Sequence, residues 1–197
     1  MKILFLDFDG VLNSYQSATF WHTRRDQMKW ENEMYRDWPG TLKEYIAQEF
    51  CPIALSNVEE LCRRELDLRI VVSSTWRMGE TVETLKEILK PSKIVCDRLI
   101  GTTPIIYKDN HEVPRGIEIQ HWLDNYEFKD QITGFAILDD DGDMEHLMNK
   151  LVQTDVEHGF KWTDIKKVQD VLNGGPCCTY TGPPFDKCKK CGGRQSI

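Results

Sequence analysis

Positive charge is what this sequence is short of. Its 197 residues carry 25 Lys and Arg against 32 Asp and Glu, for a formal charge of −7 and a pI near 5.3. That balance argues against a broad basic surface of the kind that grips duplex nucleic acid, while leaving room for a local basic pocket around one strand end. Long apolar runs are also missing, and none approaches the length that crosses a bilayer. The N-terminus has no basic segment followed by an apolar core and a small-residue cleavage site, so neither a secretory leader nor membrane attachment is expected. The seven cysteines are an odd number, and Cys51, Cys62 and Cys96 lie scattered in otherwise regular segments. This is not a disulfide framework; it suits a reduced, cytoplasmic setting. No feature calls for an obligate protein partner.

What is present is enough for a core: 40% of residues are hydrophobic and 10% aromatic. The length suits one domain with a small insertion or tail. The chain turns on its first ten residues. Lys2-Ile3-Leu4-Phe5-Leu6 is a short apolar run that ends abruptly in Asp7-Phe8-Asp9-Gly10. Side chains alternate in an extended stretch, so Asp7 and Asp9 share one side while Phe8 points away. Two like charges that close call for a cation, and Gly10 lets the chain turn sharply beside a ligand. The reading is a divalent-metal site at the carboxyl end of a parallel strand, where open α/β sheets bind ligands.

Further strand ends carry chemistry. Ser56 and Glu59 have the spacing of a capping box for a helix with Val58, Leu61, Cys62 and Leu66 inward. Arg69-Ile70-Val71-Val72 reads as a second buried strand and runs into Ser73-Ser74-Thr75-Trp76-Arg77. Small hydroxyls and free backbone N–H groups at a strand end suit a phosphate, and Arg77 is placed to hold one bidentately. A helix over 80–90 leads to Lys93-Ile94-Val95-Cys96, read as the third strand, and 99–113 reads as a loop whose His111 receives no role. Pro114 opens the next helix, with Ile119, Trp122, Leu123 and Tyr126 at helical spacing. Arg115 thus sits at a helix start, unfavourable for a cation unless an anion lies close. Phe135–Leu138 is the next strand and ends in Asp139-Asp140-Asp141-Gly142-Asp143. Mg²⁺ prefers carboxylate and water oxygens, and two neighbouring strand ends supply more of them than one. Asp139, Asp140 and Asp143 are the candidate ligands at this end; Asp143 suits equally the cap of a helix carrying Met144, Leu147, Met148 and Leu151. A fifth strand at 151–154 and a helix capped by Thr163 complete the domain.

Two stretches stand apart. Residues 14 to about 50 hold Phe20, Trp21, Trp30, Tyr35 and Trp38 interleaved with Arg24, Arg25, Lys29 and Arg36. They read as a small, largely helical insert with aromatic and Arg side chains suited to stacking on a base. Residues 176–197 form a basic, Cys-containing tail in which Cys188-x-x-Cys191-Gly resembles half a zinc knuckle; Cys177 and Cys178 would complete a thiolate site. Domain limits of 1–175 and 176–197 follow.

Asp7-Phe8-Asp9-Gly10-Val11-Leu12-Asn13 resembles the first motif of the haloacid dehalogenase superfamily of phosphotransferases. Ser73, Arg115 and Asp139 fall where the second, third and fourth motifs would. The resemblance implies a doubly wound, Rossmann-like parallel sheet with Asp7's strand central and the insert at about 14–50 as a small helical cap over the active site. It implies that Asp7 attacks phosphorus, that Asp9 protonates the leaving oxygen and then activates water, and that Ser73 and Arg115 stabilise the phosphoryl group. Mg²⁺ would be held by Asp7, Asp139 and the Asp9 carbonyl, with Ser74, Arg77 and Gly10 beside the substrate. A finer similarity lies in Ser73–Arg77, Thr103-Pro104 and Arg115-Gly116-Ile117-Glu118-Ile119 with Trp122, which look like the phosphatase domains of Swiss Army Knife RNA-repair proteins. That implies a phosphate on an RNA or DNA end as substrate, with a nucleotide or sugar phosphate as the alternative and a silent binding module as the non-enzymatic one. No kinase P-loop accompanies these motifs.

Overall fold

A computed structural model describes residues 1–19 and 50–175. The readings placed on most of the insert (20–49) and on the tail's Cys177, Cys178, Cys188 and Cys191 lie outside the described residues.

Strand β1 (Lys2–Leu6) is apolar on both sides because it is buried on both sides. Ile3 and Phe5 pack on one face with Val71, Ile137 and Ile119; Leu4 and Leu6 pack on the other with Val58, Leu61, Leu85 and Val168. Helix α1 (Pro52–Arg64) starts on a proline and ends on Arg63 and Arg64, in keeping with the helix dipole. It starts ahead of the expected Ser56–Glu59 box, since Pro52 takes the first turn. It leads to β2 (Leu68–Val72), a 3₁₀ turn at Thr75–Arg77, α2 (Val82–Ile88), α3 (Lys93–Arg98) and β3 (Leu99–Thr102). A hairpin of β4 (Tyr107–Lys108) and β5 (His111–Glu112) precedes α4 (Arg115–Asn125). Then come β6 (Gly134–Asp139), a 3₁₀ helix at Glu145–Lys150, β7 (Leu151–Gln153) and α5 (Trp162–Leu172).

The five main strands are parallel in the order β3-β2-β1-β6-β7. The chain builds outward from β1 through β2 to β3, then crosses back to β6 and β7, so strand order reverses between β1 and β6. Helices α1, α2, α3 and α5 cover the Leu4/Leu6 face, and α4 with the Glu145–Lys150 turn covers the Ile3/Phe5 face. This is the doubly wound sheet expected from sequence, and its reversal point lies where such sheets bind ligands.

Three local expectations are corrected. Residues 93–96 are helical because the Ser92 hydroxyl accepts from the Val95 N–H at 3.3 Å and caps the turn. The third strand instead comes from Leu99–Thr102, in what reads as a loop, followed by a hairpin whose turn residues Asp109 and Asn110 both have positive φ. The helix expected through Leu151 is a 3₁₀ segment that stops where β7 begins.

Gly116 lets the backbone of α4 lie directly against the acidic loop. Its N–H donates to the Asp143 carbonyl at 3.2 Å, and a Cβ there would overlap the Met144 carbonyl. Gly116→Ala is therefore expected to cost about 1–3 kcal/mol in urea unfolding, the usual penalty for overpacking against backbone; an unchanged midpoint would contradict the contact.

Candidate active site

β1 and β6 are in register at Leu6 and Leu138, and the Asp7 N–H donates to the Leu138 carbonyl at 3.0 Å. Asp7 and Asp139 consequently stand side by side, one residue past the last apolar pair. On the other flank the Ser73 N–H donates to the Leu6 carbonyl at 3.0 Å, which continues the same row into β2. By alternation these three side chains share the Ile3/Phe5 face, toward α4. Asp7, Asp139 and Asp140 each bring a carboxylate oxygen to within 4.8 Å of the others. From the first turn of α4, Arg115 Nη1 reaches 3.5 Å from Asp7 Oδ1 and 3.8 Å from Asp139 Oδ2.

Burial and repulsion define the electrostatics. Burial pushes Asp7 up to about 6, opposed by the Arg115 charge and a hydrogen bond from the Ser74 hydroxyl. Burial, and then the Asp7 charge, push Asp139 up to about 8. Among the described residues, one guanidinium does not offset three clustered carboxylates, and Ser73 Oγ, Arg115 Nη1 and Asp139 Oδ2 are buried without a hydrogen-bond partner. All-oxygen donors, excess negative charge and an unpartnered carboxylate oxygen are the set a hard divalent cation takes. Mg²⁺ therefore fits Asp7, Asp139 and Asp140.

The remaining sequence candidates are sorted by this geometry. Asp9 is exposed, and its carboxylate accepts from Trp76 Nε1 at 2.8 Å and from Asn13 Nδ2 at 3.4 Å. The Ser74 hydroxyl serves Asp7 and also accepts from the Trp76 N–H at 3.3 Å. Gly10, at φ +67°, lies against Asp140, where a Cβ would overlap the carboxyl carbon; its N–H donates to the Asn13 carbonyl at 2.7 Å, so its part is close approach rather than a donor to substrate.

Asp143 and Arg77 need correction. Asp143 is not among the clustered carboxylates, nor does it cap the segment that follows it. Its Oδ2 accepts from the Arg115 backbone N–H at 2.9 Å and so caps α4. Arg77 is buried, and its guanidinium donates to the carbonyls of Ser73 (3.0 Å), Ser74 (2.7 Å), Thr103 (3.1 Å) and Pro104 (3.2 Å) and to the Glu118 carboxylate. All five donors are taken, which leaves none for a phosphate. Glu118 also accepts from the Ile106 N–H at 3.0 Å. Sequence reasoning gave no role to Glu118 or Trp76: a first-turn carboxylate on α4 reads as dipole-favourable surface, and a Trp after three hydroxylic residues reads as packing.

A reversal point in a parallel sheet, a strand-end Asp-x-Asp, and an acidic pair and an Arg converging on its first residue define a haloacid dehalogenase (HAD)-type α/β domain. Over residues 3–165 the sequence matches the family described as the HAD domain in Swiss Army Knife RNA repair proteins, and the chain belongs to that family. No curated protein and no solved structure matches it. Among the described residues no helix is long and apolar enough to cross a membrane.

Two predictions follow from the charge arrangement. Without metal, the folded protein keeps protons on Asp7 and Asp139 that the unfolded chain, titrating near 3.8, has released, so stability falls as pH rises from about 4 to about 8. A bound divalent cation replaces those protons. Mg²⁺ should accordingly raise the melting temperature more at about pH 8 than at about pH 5, and Asp139→Asn should remove most of the difference; equal shifts at both would contradict it. Glu118→Gln strands a buried guanidinium and should cost about 3 kcal/mol or more in equilibrium unfolding.

Proposed function

We propose that the domain, residues 1–175, is a Mg²⁺-dependent phosphomonoesterase that works through an aspartyl-phosphate on Asp7. The observation that carries this reading is the convergence of buried Asp7 with Asp139, Asp140 and Arg115, with a second, exposed carboxylate two residues away. Asp7 is held by Arg115 and Ser74, and one of its oxygens attacks phosphorus in line. As the new O–P bond forms, the ester P–O bond breaks and the leaving oxygen takes a proton from Asp9. Asp9, now ionised, takes a proton from water as the water oxygen attacks the same phosphorus; the Asp7–phosphorus bond breaks and inorganic phosphate departs. The Ser73 hydroxyl and Arg115 Nη1, which have no hydrogen-bond partner among the described residues, donate to the phosphoryl oxygens through both steps. Mg²⁺, when bound by Asp7, Asp139 and Asp140, supplies the positive charge that neutralises phosphoryl and carboxylate oxygens together.

The family's association with RNA repair supports a phosphate on a polynucleotide end as substrate. The net charge of −7 favours a second reading, a mononucleotide or sugar phosphate. The three described cysteines, Cys51, Cys62 and Cys96, are free thiols, in keeping with a reduced cytoplasmic setting.

Asp7→Asn should lower Mg²⁺-dependent release of phosphate from p-nitrophenyl phosphate on the order of a thousandfold or more; full activity in that variant would remove Asp7 as nucleophile. With the native protein, faster release from 3′- or 5′-phosphorylated oligonucleotides than from the matching mononucleotides supports the end-processing reading, and the opposite order the small-molecule one.

A further inference from the structure

Among the described residues of the proposed site, Asp9, its proposed proton donor, is the one that is exposed. A surface aspartate ordinarily samples several rotamers, and a catalytic acid must not. Asp9 is fixed by a specific partner: Trp76 Nε1 donates to its Oδ2 at 2.8 Å. The contact of Asn13 Nδ2 with Oδ1, at 3.4 Å, is the longer of the two.

The indole is itself anchored. Trp76 lies in the Thr75–Arg77 turn, whose start is capped by the Ser74 hydroxyl and whose end is pinned by the fully engaged Arg77. Its ring packs against Phe8 at 5.5 Å between centroids and against Phe50 at 5.6 Å, and those two rings meet edge to face at 5.4 Å. Phe8 is fully buried and sits between Asp7 and Asp9 in the chain. The residue that alternation turns away from the carboxylates thus forms the seat for the ring that reaches back to one of them. An aromatic triad of this kind has little freedom to rotate.

We propose that Trp76 is a positioning residue that orients Asp9 for proton transfer to the leaving oxygen. This rests on the phosphatase reading, with Asp9 as the proton donor. An indole N–H only donates, so it keeps Asp9 Oδ2 as an acceptor. The Asn13 amide also only donates, but at 3.4 Å it holds Oδ1 less closely, and a protonated oxygen keeps a lone pair for that contact, so Oδ1 is the oxygen left to carry the transferable proton. The role is one of direction; no bond is made or broken at Trp76.

The test separates esters by what their leaving groups demand. p-Nitrophenolate departs without a proton, whereas an alkoxide needs one. Trp76→Phe keeps an aromatic ring and removes the N–H. It should lower kcat/KM for an alkyl phosphate ester by about tenfold or more, a fraction of what general acid catalysis is worth, and change kcat/KM for p-nitrophenyl phosphate by less than about twofold. 3-Benzothienylalanine at position 76 keeps the bicyclic ring and replaces the N–H by sulfur, so it should give the same split even where Trp76→Phe loosens the aromatic packing. A merely structural role would lower both esters together; that result, or no loss with either, overturns the proposal. Asp9→Asn in the same assay separates the two levels. A selective alkyl-ester loss in Asp9→Asn without one at position 76 overturns the positioning role and leaves Asp9 as acid. No selective loss in Asp9→Asn overturns both.

Discussion

Two carboxylates set one residue beyond the last apolar pair of adjacent parallel strands repel each other, and the backbone gives them no way to part. The Asp7 N–H is hydrogen-bonded to the Leu138 carbonyl, so the spacing of Asp7 and Asp139 is fixed by the sheet ladder itself. Burial then removes the water that would screen them. What surrounds the pair answers that problem: Arg115 is brought in at the start of a helix, where the macrodipole disfavours it, and Ser74 turns its hydroxyl to Asp7. The same unresolved negative charge makes the site suitable for a divalent ion and for phosphoryl chemistry.

The placement of Arg115 depends on a second, fully buried ion pair. Arg77 and Glu118 tie together the exits of β2 and β3 and the first turn of α4. Glu118 lies three residues after Arg115 on that helix, so fixing one sets the rotation of the other about the helix axis. Asp143 holds the same turn from the opposite strand end through the Arg115 N–H. Two residues that look like ligands in the sequence thus act as supports for the groups gathered at the strand ends.

Strands β1, β2 and β6 were legible because burial on both faces demands continuous apolar runs, and each ended in residues too polar to continue them. β3 was not. It is an edge strand whose last three residues are half-buried and include Gly101, so it carries little apolar signal. The β-branched Ile94 and Val95 mimic a strand, and only the Ser92 cap marks the turn of helix there. Within the site, Asp7, Asp139 and Arg115 were readable because charge at a strand end or helix start is locally unfavourable and so points to a partner. The use of Arg77 was hidden: sequence shows a guanidinium, while the four carbonyls that consume it come from two separate loops. Asp140 and Asp143 have equally plausible spacings, and the loop's path toward α4, set by the Gly116 contact, separates them.

The carboxylates also differ in how far they lie from solvent. Asp7 and Asp139 are buried, Asp140 is half-buried and Asp9 is exposed. On the proposed phosphatase reading, a phosphate held by the inner pair turns its ester oxygen toward Asp9 and solvent. The gradient of burial across the strand ends would then orient the substrate, head inward and attached group outward.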